Sequence, residues 1–260
     1  MKPIHTKKLE PGVALITGGA KRIGKKIAKN LARDGWKVVI HYNKNNIAAK
    51  KLKNEIIKSK GSAEIIKCDL NDYKSVKNLI EKSKKKFGSL SLLINNASKF
   101  ENDNIATLNI DSWDSHNNIN LKAPLFLSKD FSKQMKRNSP GLIINIIDQR
   151  IFFPNPEFIS YTSSKQSLMW LTQTLAQALS PQVRVCAIGP GPTLQGVRQS
   201  KKDFENQSLS TPLMVGSNPE EIYQAVRFII DIPSFTGQMI TLDGGEHLDW
   251  IKKEDKNFKD

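Results

Sequence analysis

Two glycines follow the first predicted strand, Val13–Ile16, and a third, Gly24, lies at the start of an amphipathic helix near Ile23–Arg33. The segment between Thr17 and Gly24 has the sequence TGGAKRIG. Glycines at a strand-to-helix turn let backbone N–H groups approach a pyrophosphate, and the helix N-terminus adds a favourable dipole. We therefore predict a dinucleotide site here, with cofactor contacts from Gly18, Arg22, Ile23 and Gly24.

The second strand indicates which dinucleotide this site would take. NAD sites usually place an acid about 20 residues past the glycines to hold the ribose 2′-hydroxyl, but residues 35–54 contain no acid. An acid would repel a 2′-phosphate, whereas hydrogen-bond donors and cations would bind it. We predict NADPH, although Arg22 as a helix cap and Lys44 as a solvated side chain remain the alternative. The predicted donors are Arg22, His41, Tyr42, Asn43 and Lys44.

Short apolar runs alternate with longer amphipathic stretches along the chain, which predicts repeated βαβ units. The runs are continuously apolar, as expected when both faces of a parallel sheet are covered. We predict one α/β domain with a doubly wound parallel sheet of about seven strands and helices on both faces. The predicted strands are Val13–Ile16, Val38–His41, Glu64–Lys67, Leu90–Ile94, Leu142–Ile147, Val183–Ile188 and Met239–Leu242. The predicted helices lie near Ile23–Arg33, Ile47–Lys58, Tyr73–Phe87, Trp113–Met135, Tyr161–Leu179 and Pro219–Ile230.

One long connection breaks this alternation. Residues 189–218, which we call the lid segment, hold three prolines and four glycines and show little periodicity. A connection this long inside a compact domain is usually functional, so we predict a lid over the site. The predicted domain spans 11–250, between a flexible N-terminus (1–10) and a charged tail (251–260).

Composition limits the class of protein. The formal charge is +15, and much of the excess is lysine on predicted helices, where solvated outer faces explain it most simply. A nucleic-acid surface, or a field that attracts anionic ligands, stays open, but without a nucleic-acid motif we expect no such partner. No apolar run is long enough to span a membrane. With two cysteines and four scattered histidines, we expect no metal site and a reducing, cytoplasmic setting.

Further motifs, in order and covering about Val13 to Gly245, resemble the short-chain dehydrogenase/reductase family. They are the glycine turn, Asn95-Asn-Ala-Ser98, Asn120, Tyr161-Thr-Ser-Ser-Lys165, Pro190-Gly-Pro-Thr193 and Leu242-Asp-Gly-Gly245. The resemblance implies a Rossmann-type domain, nicotinamide chemistry, a Tyr161–Lys165 catalytic pair and often a homotetramer. It also implies that Asn120 holds Lys165 and a proton-relay water. The further implied cofactor contacts are Asp69, Leu70, Asn96, Ala97, Ser98, Lys165, Pro190, Gly191 and Thr193.

Three departures from the family pattern are similar to its pteridine reductase branch. Arg22 replaces a glycine of the turn, Ser98 replaces the glycine of Asn-Asn-Ala-Gly, and Asp148 stands where the catalytic serine would lie. In that branch Arg22 and Ser98 would contact cofactor and substrate, and Phe100 would stack on the pterin ring. Asp148 and Tyr161 complete the expected substrate contacts.

Chemistry explains why Asp148 favours one substrate class. Tyr161 is the implied proton donor, and Lys165, one helical turn later, would lower its pKa. A carboxylate beside a carbonyl would repel the developing oxyanion, whereas at a C=N bond it can hold or relay the proton that nitrogen needs. We predict reduction of a dihydropterin-like or dihydrofolate-like C=N bond. The alternatives are a carbonyl or 3-oxoacyl reductase, a non-catalytic NADP-binding protein, or a nucleic-acid binder.

Overall fold

Seven strands form one parallel sheet in the order β3-β2-β1-β4-β5-β6-β7. The structure is a computed structural model that describes residues 8–136, 138–196 and 199–248. The chain leaves β1 on one side towards β2 and later returns on the other side with β4. This reversal opens a crevice at the carboxyl ends of the central strands, where α/β proteins bind ligands. The strands are β1 Val13–Ile16, β2 Lys37–Tyr42, β3 Ser62–Lys67, β4 Leu92–Asn95, β5 Gly141–Ile146, β6 Val183–Pro190 and β7 Met239–Leu242.

Helices cover both faces of the sheet, which confirms the predicted doubly wound fold. Because successive strand residues point to opposite faces, Ala14 and Ile16 pack in one core cluster while Val13 and Leu15 pack in the other. The first core includes residues of α1, α2 and α9, and the second includes residues of α4, α6 and α7. The helices are α1 Arg22–Arg33, α2 Asn46–Lys58, α3 Tyr73–Val76, α4 Leu79–Phe87, α5 Ile110–Asn117, α6 Ala123–Gln134, α7 Ile159–Ala178, α8 Lys201–Leu209 and α9 Pro219–Asp231.

Two predicted helices have a different internal structure. The pattern near Tyr73–Phe87 forms two short helices, α3 and α4. The pattern near Trp113–Met135 begins earlier, at Ile110, and α5 joins α6 through a π-helical turn, Asn118–Lys122. Such turns occur often at functional sites, and this one carries Asn120.

The lid segment contains one helix that the periodicity did not predict. Helix α8 buries none of its residues, so it lacks the apolar stripe on which a prediction from periodicity depends. The local signal was a capping box, in which the side chains of Ser200 and Asp203 each accept a hydrogen bond from the other residue's backbone N–H.

Several other predictions concern the ends of the chain and its chemistry. Most of the predicted N-terminal arm and all of the charged tail lie outside the described residues. Cys68 and Cys186 are buried free thiols. Within the described ranges, no helix is both long and apolar enough to cross a membrane. In the same ranges, no three His, Cys, Asp or Glu side chains gather as a metal site.

Candidate active site

A cavity of about 910 Å³ lies at the carboxyl ends of the central strands and contains most of the predicted site residues. The lid segment forms one wall with residues such as Leu194, Phe204 and Gln207. The predicted residues that line it are Gly18, Arg22, Ile23, Gly24, His41, Asn43, Leu70, Asn96, Ala97, Ser98, Phe100, Asp148, Tyr161, Lys165, Pro190, Gly191 and Thr193. Four predicted residues are not part of its lining: Tyr42, Lys44, Asp69 and Asn120.

The glycine turn is packed so closely that side chains would disrupt it. A Cβ atom at Gly24 would lie 2.5 Å from the carbonyl oxygen of Gly18 and 2.6 Å from Nδ2 of Asn96. Asn96 in turn donates hydrogen bonds to the carbonyls of Thr17 and Gly18, at 2.9 and 3.2 Å. Arg22, which replaces a family glycine, has a φ of 51°, in the left-handed region that glycine favours. The turn therefore has a left-handed backbone at a residue that carries a long side chain.

The side chain of His41 forms a hydrogen bond within the glycine turn. Its Nδ1 accepts a hydrogen bond from the backbone N–H of Gly18 at 2.9 Å, and its Nε2 lies 3.0 Å from the carbonyl oxygen of Cys68. The ring is therefore neutral with the proton on Nε2, and burial lowers the pKa of His41 to about 4. His41 thus differs from our expectation of a phosphate donor: both of its nitrogens are engaged within the protein, and it positions Gly18.

The remaining donors of the predicted 2′-phosphate site lie at the end of β2. Asn43 lines the cavity and donates to the Asp69 carboxylate at 3.1 Å, while Lys44 is exposed. Lys21, which the sequence analysis did not select, also lines the cavity. Arg22 lines it too, and its guanidinium donates to the carbonyl oxygens of Gln195 and Leu194 at 2.8 and 3.0 Å. Arg22 therefore connects the glycine turn to the lid segment.

The residues of the predicted proton-donor group come from β5, the turn that follows it, and α7. The hydroxyl of Tyr161 donates to Oδ2 of Asp148 at 2.6 Å. Lys165 Nζ donates to the carbonyl oxygen of Ile146 at 2.8 Å and lies 5.8 Å from the centre of the Tyr161 ring. Tyr161 and Lys165 are buried, at 5% and 2% exposure. The three side chains thus bring together an acid, a phenol and an ammonium away from bulk water.

Burial changes how each of these groups holds its proton. It raises the pKa of the Asp148 carboxyl, against the opposing effect of the Tyr161 hydrogen bond. Burial also lowers the pKa of Lys165 to about 8. Burial and the adjacent Asp148 carboxylate together hold the pKa of Tyr161 well above 10. Our expectation that Lys165 would lower the pKa of Tyr161 is therefore wrong for this arrangement, because Asp148 lies closer to the phenol.

Asn120 uses its side chain to connect two segments of the site. Its Oδ1 accepts from the backbone N–H of Lys99 at 2.8 Å, and its Nδ2 donates to the Lys99 carbonyl at 2.9 Å. Nδ2 also donates to the hydroxyl of Ser164 at 3.0 Å, which itself donates to the Tyr161 carbonyl at 2.6 Å. Asn120 thus links the loop after β4 to the first turn of α7, without a direct hydrogen bond to Lys165.

A second link connects the same loop to α7. The N-cap residue of α7 is Phe158, which has a left-handed φ of 60° and makes no side-chain capping hydrogen bond. Instead, the carboxylate of buried Asp103 accepts from the backbone N–H of Ser160 at 3.0 Å, and Asn102 accepts from the N–H of Phe158 at 3.1 Å. The loop and the helix that carries Tyr161 are therefore held as one unit.

Aromatic rings line one side of the cavity. Phe100 stacks on Phe158, with parallel rings whose centres are 4.9 Å apart, and meets the edge of Tyr161 at 4.6 Å. Phe100 is 45% exposed. Ser98 is exposed beside it, with its hydroxyl donating to the Lys99 carbonyl at 3.2 Å.

The last predicted contact, Thr193, lies at the start of the lid segment. Its Oγ1 donates to the Gly191 carbonyl at 2.9 Å and lies 2.6 Å from the hydroxyl of Ser217. Sequence reasoning missed further lining residues in the lid segment, between β5 and α7, and after β7, because side chains that meet only in the folded chain leave no local pattern. These residues are Gln149, Arg150, Phe158, Leu194, Gln199, Phe204, Gln207 and Glu246.

Comparison with known proteins decides the family. The model of the short chain dehydrogenase family matches residues 12–206. The chain belongs to the short-chain dehydrogenase family. Its resemblance to the family thus extends from the glycine turn into the lid segment.

Two members of this family show how far the likeness extends. The crystal structure of FolM alternative dihydrofolate reductase 1 from Brucella canis, complexed with NADP, is 42% identical. That likeness covers 95% of this chain and 98% of that one, with a TM-score of 0.91. A 3-oxoacyl-[acyl-carrier-protein] reductase from Synechocystis sp. is 30% identical over 237 residues, covering 90% of this chain and 96% of that protein.

Proposed function

We propose that the protein is an NADPH-dependent reductase of a C=N bond in a dihydropterin or dihydrofolate-like substrate, with Tyr161 as the proton donor. The observation that carries this proposal is the 2.6 Å hydrogen bond from the Tyr161 hydroxyl to the Asp148 carboxylate. The likeness to a FolM alternative dihydrofolate reductase complexed with NADP supports it.

The cavity fits a phosphorylated dinucleotide. A Cβ atom would fill the cradle at Gly24, and Lys21 and Arg22 supply positive charge beside it. The end of β2 offers Asn43 and Lys44, with no acid between residues 35 and 54. When bound, NADPH would supply the hydride. Lys165 would hold the nicotinamide ribose and Thr193 the carboxamide.

The protein's own residues supply the proton. Because the pKa of Tyr161 lies well above 10, the phenol stays protonated at neutral pH and can donate to the substrate nitrogen. After Tyr161 has donated its proton, Asp148, whose pKa is raised, would take up a proton from the solvent in the cavity and pass it to the tyrosine oxygen along the same hydrogen bond. Lys165 places a positive charge near the developing tyrosinate.

A carbonyl or 3-oxoacyl reductase is the second candidate, and the 30% identity to the Synechocystis enzyme favours it. Such a reaction develops negative charge on the substrate oxygen, which is stabilised by hydrogen-bond donors. Asp148 presents a carboxylate at this place, so the site is less suited to an oxyanion than to a nitrogen that gains a proton.

The test is NADPH oxidation by the purified protein with dihydrobiopterin, dihydrofolate and a simple ketone in parallel, repeated with NADH. We expect turnover of a pteridine with NADPH, and loss of that turnover in Tyr161→Phe. Turnover of the ketone alone would overturn the pteridine assignment, and a preference for NADH would overturn the cofactor assignment. Tight NADPH binding without any turnover would instead favour a non-catalytic role.

A homotetramer and a cytoplasmic location complete the proposal. Trp170 on α7 is 62% exposed, which is unusual for a large aromatic side chain and typical of a contact surface. Light scattering of the purified protein, compared with Trp170→Glu, would test the assembly; a monomeric wild type would contradict it.

A further inference from the structure

Arg150 occupies a special position in the cavity. It lies in the short 3₁₀ turn Gln149–Phe152, directly after β5 and Asp148. Its backbone N–H donates to Oδ1 of Asp148 at 2.9 Å, so the acid that contacts Tyr161 also orients the turn. The side chain of Arg150 is half-buried and lines the cavity.

The guanidinium of Arg150 contacts aromatic faces. Its central carbon lies 4.9 Å from the ring centre of Phe158 and 5.9 Å from that of Phe100. No carboxylate of the described residues lies within 4.0 Å of it. The nearby Glu101 pairs instead with Lys99 at 3.1 Å, and Asp148 accepts the hydrogen bond from Tyr161.

The other described arginines are each bonded to a protein acceptor. Arg33 and Arg227 pair with Asp34, while Arg22 and Arg184 donate to backbone carbonyls. Arginine carries five N–H donors that match a carboxylate in a bidentate arrangement. Within the described ranges, Arg150 is thus the arginine whose donors face the cavity region without a protein acceptor.

We propose that Arg150 binds a carboxylate carried by the substrate beyond its pteridine ring. The preferred substrate is then a dihydropteridine with an acidic side chain, of the dihydrofolate class, in preference to a neutral dihydropterin. This inference rests on the proposed function. Phe100 and Phe158 hold the guanidinium beside the ring platform, so the charge lies next to the position proposed for the pteridine.

The basic residues at the other end of the cavity have a different proposed task. Lys21 and Arg22 lie at the glycine turn, where they face the proposed phosphates, and Lys165 lies beneath Tyr161. The acidic residues of the lining are Glu101, Asp148 and Glu246. Glu101 pairs with Lys99, and Asp148 accepts the hydrogen bond from Tyr161. Among the described basic residues of the cavity lining, Arg150 is therefore the one placed on the proposed substrate side, where it suits an anionic tail.

The test compares dihydrofolate with dihydrobiopterin in the wild type, Arg150→Gln and Arg150→Lys. A charge-assisted hydrogen bond implies that Arg150→Gln raises the KM for dihydrofolate by at least ~10-fold. The KM for dihydrobiopterin should change less than ~2-fold, and Arg150→Lys should recover part of the loss because it restores the charge. Added salt should raise the KM for dihydrofolate in the wild type and not in Arg150→Gln, because ions screen the charge pair.

Arg33→Gln is the matched control, since it removes one arginine charge from the exposed face of α1 and should leave both KM values unchanged. Equal losses with both substrates in Arg150→Gln would show that Arg150 only supports the rings, which would overturn the inference. A wild type that reduces dihydrobiopterin but not dihydrofolate would overturn it too, with the proposed function intact. Failure of both substrates would refute the proposed function itself.

Discussion

Replacing Asp148 by Asn tests the chemical basis of the proposed reaction with almost no change of shape. The carboxylate accepts the Tyr161 hydroxyl on Oδ2 at 2.6 Å and the Arg150 N–H on Oδ1 at 2.9 Å, whereas the amide has one acceptor oxygen and can keep one of these two bonds. The variant also loses the negative charge and the ability to pass a proton to Tyr161. It therefore removes the acid at the cost of a single hydrogen bond.

The expected loss of activity follows from the proposed role of Asp148 in proton transfer. A positioned general acid or base contributes ~10²–10⁴-fold to a rate. Because Tyr161 remains as the first donor, we expect the lower end, a fall of about 10²-fold in kcat/KM with dihydrobiopterin. The dissociation constant for NADPH should change less than ~3-fold, since Asp148 makes no contact with the glycine turn.

The free energy of unfolding should rise in Asp148→Asn, whereas kcat/KM should fall. Burial raises the pKa of Asp148 above its ordinary value of 3.8, so the folded state binds this proton more tightly than the unfolded chain does. The cost of the buried charge is absent below pH 3.8 and grows by about 1.4 kcal/mol for each pH unit between that value and the raised pKa, above which it stays constant. Asp148→Asn removes that cost, so the variant should be more stable than the wild type at pH 8, with a smaller difference at pH 4.

The assay is steady-state NADPH oxidation with dihydrobiopterin between pH 5 and 9, together with urea unfolding at pH 4 and 8. A variant with wild-type kcat/KM across this range would refute the role of Asp148 as proton source. A variant that is less stable than the wild type at pH 8 would refute the argument that its charge is unfavourably buried.

Four further outcomes follow from single contacts. Burial holds the pKa of His41 at about 4 against an ordinary 6.5. The free energy of unfolding of the wild type should therefore fall by about 3 kcal/mol as the pH falls from 6.5 to below 4. Urea titrations of His41→Asn should show a smaller dependence of the unfolding free energy on pH. Gly24→Ala forces a Cβ against Gly18 and should weaken NADPH binding at least ~10-fold by calorimetry, whereas unchanged affinity would contradict the cradle. Lys165 has a pKa of about 8, so kcat/KM should fall above pH 8 as the ammonium loses its charge. If kcat/KM of Lys165→Met fell over the same pH range, another group would be responsible for the fall. Asp103→Ala removes the acceptor for the first turn of α7 and should cost ~0.5–2 kcal/mol of stability. It should also lower kcat more than Asp103→Asn does, a difference that a purely structural role would not produce.

Local patterns were sufficient for much of the fold. The apolar runs predicted all seven strands to within a few residues, because a strand covered on both faces must be apolar throughout. They failed where no apolar stripe exists, as in α8, and where an irregular turn interrupts a helical pattern, as at Asn118–Lys122. Helix boundaries and interruptions depend on tertiary contacts that periodicity does not contain.

The glycine turn, the acid-free second strand and the Tyr161–Lys165 spacing are readable from residue order, because each depends on neighbours along the chain. The partners of Asp148, Arg22 and His41 are not, since they come from segments between 13 and 173 residues away. Folding buried Tyr161 and placed Asp148 on its hydroxyl, and these two effects raise the pKa of Tyr161, which residue order alone had predicted to be lowered. Residue order names the groups, whereas the distance and burial that set their charges arise when the strands and helices pack together.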